Sequence, residues 1–159
     1  MNFTKIENYK ETLYVSRSLL YVDELVKWVK EQNFKYRLPN SEFHVTIVYS
    51  KEKVDWNKAK PINNILIIKG GVRKVEKLGD AIVLQFQSKK LKKRWEYFIN
   101  DVGCSWDYPS YKSHVSITYD SQNIDYEKMK PYEGYLIFGP EKFIDVNENH
   151  KENFKEIKI

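Results

Sequence analysis

The chain of 159 residues contains little cysteine and no long apolar segment. Its single cysteine, Cys104, excludes an internal disulfide, and a metal site built on it would need other ligands. Apolar runs such as Ile65–Ile68 and Ala81–Leu84 are far too short to cross a bilayer. Charged residues interrupt the first stretch of the sequence, which predicts that there is no signal peptide. We therefore expect a cytoplasmic protein with no membrane partner.

The chain contains enough apolar residues to form a hydrophobic core, and its basic residues outnumber its acidic ones. Apolar residues make up 42% and aromatic residues 15% of the chain, enough to bury a core, which argues against disorder. The length fits a single domain over residues 1–159. Lysine and arginine exceed aspartate and glutamate by 27 to 22, a formal net charge of +5. This excess favours an anionic partner such as a nucleotide or nucleic acid, although a solvated, lysine-rich surface has the same composition.

Histidine is scarce, but two of the three histidines lie in a repeated segment. Residues 39–49 read Pro-Asn-Ser-Glu-Phe-His-Val-Thr-Ile-Val-Tyr, and residues 109–119 read Pro-Ser-Tyr-Lys-Ser-His-Val-Ser-Ile-Thr-Tyr. The two histidines, His44 and His114, occupy the same place in each copy, 70 positions apart (114 − 44). The third, His150, lies among polar and charged residues and is predicted to be on the surface.

In each half of the chain, a strand and a helix precede the histidine segment. Residues Thr12–Ser18 are rich in β-formers, and apolar spacing predicts a helix over Val22–Gln32. In the second half, Ala81–Gln87 alternates like a strand. A helix then follows, with Ser88 as its N-cap and Gly103 just past its end.

Further strands are predicted outside the repeats, over residues 64–69 and 72–78. Two more are predicted over 132–137 and 142–146, with a break at Gly139-Pro140. Strands in both halves, each with one helix, predict an α+β domain of two pseudo-symmetric lobes. The lobe repeats comprise residues 12–50 and 81–120, with further strands within 64–78 and 132–146.

The repeated strand has one polar and one apolar face. Because side chains alternate along a strand, His44 and Thr46 share a face, and Val45, Ile47 and Tyr49 share the other. Two lobes related by pseudo-twofold symmetry would bring the polar faces together across a cleft. The second copy has the same arrangement, with His114 and Ser116 on one face and Val115, Ile117 and Tyr119 on the other. We expect Val45, Ile47, Val115 and Ile117 to be buried against the two helices.

Two imidazoles with two neighbouring hydroxyls suit phosphodiester chemistry. With a pKa of about 6.5, one histidine can take a proton while the other gives one near neutral pH. The Thr46 and Ser116 hydroxyls can donate to phosphate oxygens as charge develops there. The shared face lacks additional carboxylate or thiolate ligands, so we expect no metal and no other cofactor. A lone strand histidine is usually structural, but a core strand gains nothing from a duplicated polar face.

At His44-x-Thr46 and His114-x-Ser116 the sequence resembles the 2H phosphoesterase superfamily, and Arg37-Leu38-Pro39 resembles the lead-in to its first motif. The resemblance implies a bilobal α+β fold with antiparallel sheets around a central cleft and helices on the outside. It also implies metal-free cleavage of RNA-like phosphodiesters. The stretch Tyr135–Glu141, ending Gly139-Pro140-Glu141, resembles the phage anti-CBASS proteins, which degrade the cyclic di- and trinucleotide signals of bacterial defence.

Four further residues are candidates for substrate contact, each with a structural alternative. Glu141 lies in the stretch that resembles the anti-CBASS proteins and could bind a base edge, or could be a solvated turn residue. Tyr14 and Tyr111 could stack on a base or pack in the core. Trp106 lies in the aromatic loop before the second motif and has the same two interpretations. The lysines at the start of the second helix could steer an anion, although a solvated helix face is the commoner explanation.

The leading functional hypothesis is a metal-independent phosphodiesterase that cleaves 3′–5′ bonds of cyclic oligonucleotide signals. One alternative is an enzyme that acts on RNA ends carrying a 2′,3′-cyclic phosphate or on 2′–5′ linkages. A second alternative is a binding module that holds a nucleotide without cleaving it, although binding alone would not need an acid–base pair. No stable protein partner is implied, and a phage origin would place the protein in the cytoplasm of the bacterial host. Which histidine begins as the base is left open.

Overall fold

Nine strands and two α-helices form within residues 10–148 and 154–159, the part of the chain that the computed structural model describes. The strands are β1 (Lys10–Leu20), β2 (Tyr36–Arg37), β3 (His44–Asp55), β4 (Leu66–Ile68), β5 (Arg73–Leu78), β6 (Ala81–Phe86), β7 (His114–Thr118), β8 (Leu136–Ile144) and β9 (Ile157–Lys158). The helices are α1 (Asp23–Lys30) and α2 (Lys89–Tyr97), and a π-helical turn, Phe98–Val102, continues α2. The third histidine, His150, lies outside the described residues.

Seven of the strands form one antiparallel sheet in the order β4-β8-β1-β3-β7-β6-β5, and β2 pairs separately with β9. The two histidine strands are neighbours at its centre, where Val45 of β3 pairs with Val115 of β7. Each histidine strand also pairs with the strand that opens its own half, β3 with β1 and β7 with β6. The predicted α+β class with two antiparallel lobes is confirmed, and the lobes are joined edge to edge into a single sheet.

Both predicted helices are present and have the expected termini. Helix α1 lies inside the predicted range and buries Leu25 and Val29. At the start of α2, the Ser88 Oγ accepts a hydrogen bond from the backbone N–H of Leu91. Gly103 ends the π-helical turn with a left-handed φ of 87°, a conformation that glycine adopts without the steric cost of a Cβ. The predicted N-cap and helix stop are therefore confirmed.

A β-bulge follows the second motif residue in both histidine strands. In β3, Thr46 pairs with Ser16 and Val48 with Val15, which leaves Ile47 as the extra residue. Because a bulge shifts the alternation of side chains, Val48 joins the core and Tyr49 turns to the polar face. The prediction that Tyr49 shares a face with Val45 and Ile47 is therefore wrong.

The second histidine strand repeats this irregularity. In β7, Ser116 pairs with Val83 and Thr118 with Ile82, so that Ile117 is the extra residue. Thr118 is fully buried and Tyr119 is 36% exposed, which corrects the prediction that Tyr119 shares the face of Val115 and Ile117. The internal repeat therefore includes its bulge as well as its residues.

The predicted break at Gly139-Pro140 is also wrong, because β8 runs through it without interruption. Along β1, Arg17 pairs with Glu141 and Leu19 with Phe138, which places Gly139 and Pro140 together opposite one residue. Proline has no N–H to donate to the sheet, and a bulge is a position where that donor is not needed. The two predicted strands, 132–137 and 142–146, are therefore one strand.

The hydrophobic core lies on the face of the sheet opposite the polar motif residues. Val45, Ile47, Val115 and Ile117 are fully buried there, as predicted. Cys104 also belongs to this core, and burial raises the pKa of its thiol to about 11. Within residues 10–148 and 154–159, no helix has the length and apolar composition needed to cross a bilayer.

Candidate active site

A cleft of about 490 Å³ opens beside the two central strands, on the polar face of the sheet. His114, Thr46 and Tyr14 line it, so that residues 100 positions apart in the chain (114 − 14) meet in one cavity. His44 lies at its edge, where its ring Nε2 is 2.8 Å from the Tyr14 Oη. Ser116 is half-buried on the same face of β7 as His114. The structure therefore brings one residue of each predicted motif, Thr46 and His114, to a common cleft.

Each imidazole is oriented by a backbone carbonyl two residues earlier in the chain. The Nδ1 of His44 is 2.7 Å from the Glu42 carbonyl oxygen, and the Nδ1 of His114 is 2.8 Å from the Lys112 carbonyl oxygen. A carbonyl oxygen can only accept, so each Nδ1 carries a proton and donates it. In the neutral form, the lone pair of each ring is therefore on Nε2. This nitrogen is the atom of each imidazole that can exchange a proton with a substrate.

A hydrogen-bonded chain connects the three polar residues of the first lobe. Tyr14 Oη lies between His44 Nε2, at 2.8 Å, and Thr46 Oγ1, at 3.2 Å. Tyr14 itself is only 5% exposed, and this burial raises the pKa of its phenol to about 12. The phenol therefore keeps its proton near neutral pH. With His44 neutral, Tyr14 donates to Nε2 and can accept from Thr46.

The cleft has an aromatic wall made of Tyr49, Trp106 and Tyr108. Trp106 and Tyr108 pack edge to face with ring centroids 5.7 Å apart, and the Trp106 Nε1 donates to the Ser110 carbonyl oxygen. Tyr108 is 69% exposed. Aromatic side chains in this setting offer a nucleobase a surface for stacking. Trp106 is thus placed where the sequence predicted it, with Tyr49 and Tyr108 beside it.

Tyr111 does not lie on this wall. Its ring stacks on Trp95 at a centroid distance of 5.6 Å, and its Oη donates to the Thr46 carbonyl oxygen at 2.7 Å. Burial raises the pKa of this phenol. Tyr111 supports the first motif from inside the protein, so the expectation that it stacks on a base does not fit its position.

Glu141 also lies away from the cleft. Its side chain is fully buried and accepts hydrogen bonds from the Arg94 guanidinium at 2.9 and 3.0 Å and from the Ile62 backbone N–H. The carboxylate is thus paired between β8 and α2, where a buried charge needs a partner. The expectation that Glu141 contacts a base edge or a ribose is corrected to a structural role.

Two lysines line the cleft, and each has an acidic partner. Lys51 Nζ is 2.9 Å from Asp107 Oδ2, and Lys112 Nζ is 3.4 Å from Glu76 Oε1. Both pairs are partly exposed, so an anionic ligand can compete for these lysines. The lysines of α2 are exposed and do not line the cleft; they are Lys89, Lys90, Lys92 and Lys93. Among the described residues, no group of three or more His, Cys, Asp or Glu side chains is arranged to hold a metal ion.

Sequence reasoning missed Tyr49, Lys51 and Lys112 as lining residues. Strict alternation places Tyr49 on the wrong face, because the bulge at Ile47 has no clear signal in the sequence. For Lys51, the useful signal is its position two residues beyond Tyr49 on the same strand. Tyr108 belongs to the aromatic loop that the sequence identified, and it lines the cleft beside Trp106.

Comparison with known proteins places the chain among anti-CBASS proteins. A family model described as "Anti-CBASS protein Acb1" matches residues 11–153. The chain is 42% identical over 152 residues to the anti-CBASS protein Acb1 of Caulobacter sp. (strain RHG1), an alignment that covers 91% of this chain and 24% of the relative. The anti-CBASS protein Acb1 of Sphingomonas paeninsulae is 43% identical over 148 residues, an alignment that covers 87% of this chain and 24% of that relative. The chain thus spans about a quarter of the length of these two relatives.

A shorter relative and two solved structures complete the comparison. The anti-CBASS protein Acb1 of Vibrio phage KVP40 is 30% identical over 97 residues, which cover 61% of this chain and 64% of the relative. A crystal structure of a phosphoesterase superimposes with a TM-score of 0.57 at 10% identity, covering 86% of this chain and 98% of that one. The crystal structure of E. coli LigT complexed with 3′-AMP superimposes with a TM-score of 0.56 at 9% identity, and the match covers 95% of this chain and 99% of that one. At these identities the two structures show a shared fold.

Proposed function

The chain belongs to the family of the anti-CBASS protein Acb1, and on this basis we propose that it is a phosphodiesterase acting on cyclic oligonucleotides. Its substrates would be the cyclic di- and trinucleotide signals of bacterial CBASS defence, and it would hydrolyse their 3′–5′ bonds without a metal ion. Destroying the signal would counter the defence. The substrate is the only partner that this function requires.

The arrangement of the two imidazoles carries the proposal. Both rings have their Nδ1 next to a backbone carbonyl, Thr46 and His114 line one cleft, and His44 contacts the lining residue Tyr14. Two imidazoles held in this way can serve as one base and one acid. The Thr46 and Ser116 hydroxyls lie two residues beyond them, where they can donate to the nonbridging oxygens of a phosphate.

The reaction would proceed in two steps. First, one imidazole accepts the proton of a ribose 2′-OH, and the 2′ oxygen attacks the adjacent phosphorus. The bond from phosphorus to the 5′ oxygen breaks, and the other histidine, as imidazolium, protonates this leaving oxygen. Water then opens the resulting 2′,3′-cyclic phosphate with the two roles reversed. The histidines return to their starting protonation states, so the protein is unchanged after each cycle.

The rest of the cleft suits a nucleotide with several charges. Tyr49, Trp106 and Tyr108 provide stacking surface for a base, and Lys51 and Lys112 provide positive charge next to it. The formal net charge of +5 would favour approach of such an anion. These features support nucleotide binding but do not distinguish one base from another.

The function is tested with a panel of substrates in the presence of EDTA. The panel contains 3′3′ cyclic dinucleotides, cyclic trinucleotides, 2′–5′ oligoadenylate and RNA ending in a 2′,3′-cyclic phosphate. We expect turnover of at least one cyclic di- or trinucleotide, undiminished by EDTA. Turnover of the RNA end alone would instead establish the RNA-end alternative, and loss of activity in EDTA would contradict the metal-free mechanism.

Single substitutions in the same assay test the paired imidazoles. His44→Ala and His114→Ala should each lower kcat by about 10²–10⁴-fold, because each removes one acid–base group. Circular dichroism should show both variants folded, since neither ring belongs to the hydrophobic core. Lys90→Ala, on the exposed side of α2, serves as the control and should match the wild type. A fully active His44→Ala or His114→Ala variant would refute the assignment.

A further inference from the structure

The two lobes differ at one position next to the histidines. In β1, Ser16 pairs with Thr46, and Tyr14 lies two residues before Ser16. In β6, Val83 pairs with Ser116, and Ala81 lies two residues before Val83. The equivalent position therefore holds a phenol hydroxyl, that of Tyr14, in the first lobe and only a methyl group, that of Ala81, in the second.

The phenol of Tyr14 lines the cleft and also contacts His44. The Nδ1 of His44 donates to the Glu42 carbonyl, so Nε2 is the nitrogen that can accept a proton. That atom is 2.8 Å from Tyr14 Oη, a normal hydrogen-bond distance. The Tyr14 hydroxyl can therefore pass a proton from the cleft to His44.

We propose that the Tyr14 hydroxyl is a catalytic proton relay between His44 and the substrate. This role rests on the proposed phosphodiesterase function and deepens it. The sequence leaves two interpretations of Tyr14, stacking on a base or packing in the core. Its hydroxyl contacts with His44 and Thr46 give it a different task, one that a phenylalanine ring could not perform.

The relay balances when His44 is the base of the first step. The ribose 2′-O–H bond breaks, its proton binds Tyr14 Oη, and the proton that Tyr14 carried moves to His44 Nε2. The electron pair left on the 2′ oxygen forms the new bond to phosphorus. The 5′ oxygen leaves with the electron pair of its bond to phosphorus and takes a proton from His114. Tyr14 is a neutral phenol before and after the step.

The surroundings of Tyr14 suit a relay that never becomes ionised. Its phenol is buried, and with a pKa of about 12 it gives up one proton only as it receives another. Before a phosphate is bound, Thr46 Oγ1, at 3.2 Å, can donate to Oη and so orient the phenol proton toward His44. The same path runs in reverse when His44 returns its proton during opening of the cyclic phosphate.

The test is the variant Tyr14→Phe, which keeps the ring and removes only the hydroxyl. We expect kcat to fall about 100-fold with KM changed less than threefold, because the relay acts on proton transfer and not on binding. A proton inventory in mixtures of H2O and D2O should show one fewer proton in motion than in the wild type. The control is Tyr97→Phe, whose hydroxyl donates to the Lys58 carbonyl outside the cleft and whose loss should leave kcat unchanged.

Three results would overturn the relay. These are a kcat for Tyr14→Phe within twofold of the wild type, a fall in kcat with an unchanged proton inventory, and a rise in KM alone. The last result would favour base stacking. As a readout besides activity, the ¹⁵N resonance of His44 Nε2 should shift in Tyr14→Phe while that of His114 stays in place; an unchanged His44 resonance would also contradict the proposal.

Failure of the relay can be told apart from failure of the proposed function. The variants are assayed on cyclic di- and trinucleotides and on RNA ending in a 2′,3′-cyclic phosphate, two kinds of substrate that both need proton transfer at the histidines. If only the RNA end is turned over, the proposed substrate is wrong and the relay is judged on the RNA end. If the wild type turns over neither substrate, both proposals are refuted.

Discussion

The carbonyl groups of Glu42 and Lys112 determine how the two histidines can act. Each holds the Nδ1 proton of an imidazole and so leaves Nε2 as the only ring nitrogen able to exchange protons. Because both carbonyls lie two residues before their histidine, the same local backbone geometry serves both motifs. Differences in chemistry between the histidines must therefore come from residues on other strands, such as Tyr14.

The role of Glu141 can be assigned only from the residues that it contacts in the structure. In the sequence it follows a Gly-Pro pair, which suggests an exposed turn. In the structure it lies on β8 and its buried carboxylate binds Arg94 of α2, 47 positions away. The ion pair fastens the helix to the sheet, so we expect Glu141 to affect stability and not catalysis.

We predict that Glu141→Gln lowers the free energy of unfolding by about 3 kcal/mol, because it leaves the Arg94 charge without its anionic partner. Denaturant titration measures this loss, and kinetic assays should give kcat and KM within twofold of the wild type. Glu96→Gln, on the exposed side of α2, is the control and should be neutral in both measurements. A raised KM for Glu141→Gln with an unchanged free energy of unfolding would instead indicate that Glu141 contacts the substrate.

At the scale of the elements, the bulges decide which residues the central strands present to the cleft. Without the extra residue at Ile47, Tyr49 would point into the core and the aromatic wall would lose one of its three rings. The bulge at Ile117 moves Tyr119 in the same way. A third bulge allows β8 to pass through Gly139 and Pro140. Strand irregularities thus shape the site as much as the motifs do.

Helix α2 depends on its N-cap, since its first turn contains no acidic residue to offset the helix dipole. We predict that Ser88→Ala lowers the free energy of unfolding by about 1 kcal/mol, because the Leu91 N–H loses its acceptor. Thermal and denaturant unfolding measure the change. Lys90→Ala in the same turn should stay within about 0.5 kcal/mol of the wild type, and an equal loss in both variants would contradict a specific capping effect.

At the scale of the whole molecule, the two lobes share one sheet and one core. Val45 and Val115 pair at the boundary between the halves, and both are fully buried in the same hydrophobic cluster. Both halves contribute residues to the lining of the cleft. The candidate site therefore exists only when the two halves are joined.

We predict that the protein unfolds in a single cooperative transition, as expected for a single domain over residues 1–159. Tryptophan fluorescence reports on both halves, because Trp28 and Trp56 lie in the first and Trp95 and Trp106 in the second. Its denaturant midpoint should coincide with that of far-ultraviolet circular dichroism. Two separated transitions would instead show that the lobes are independent domains.

Much of the fold and the essential part of the site follow from the sequence by itself. The duplicated His-x-[Thr/Ser] motif, the strand–helix–strand order of each half and the capped helix α2 are local patterns, and local patterns are determined by neighbouring residues. The same locality explains why the burial of Val45, Ile47, Val115 and Ile117 was predicted correctly.

Only the tertiary structure decided how distant residues combine. Tyr14 meets His44 across 30 positions, and Arg94 meets Glu141 across 47. Such contacts depend on sheet register, and a single bulge changes which face a side chain occupies. The sequence determined that two histidines occupy equivalent positions in two similar strands. Tertiary packing decided which nitrogen of each ring can act and which of the two has a buried phenol beside it, because both depend on atoms brought together by folding.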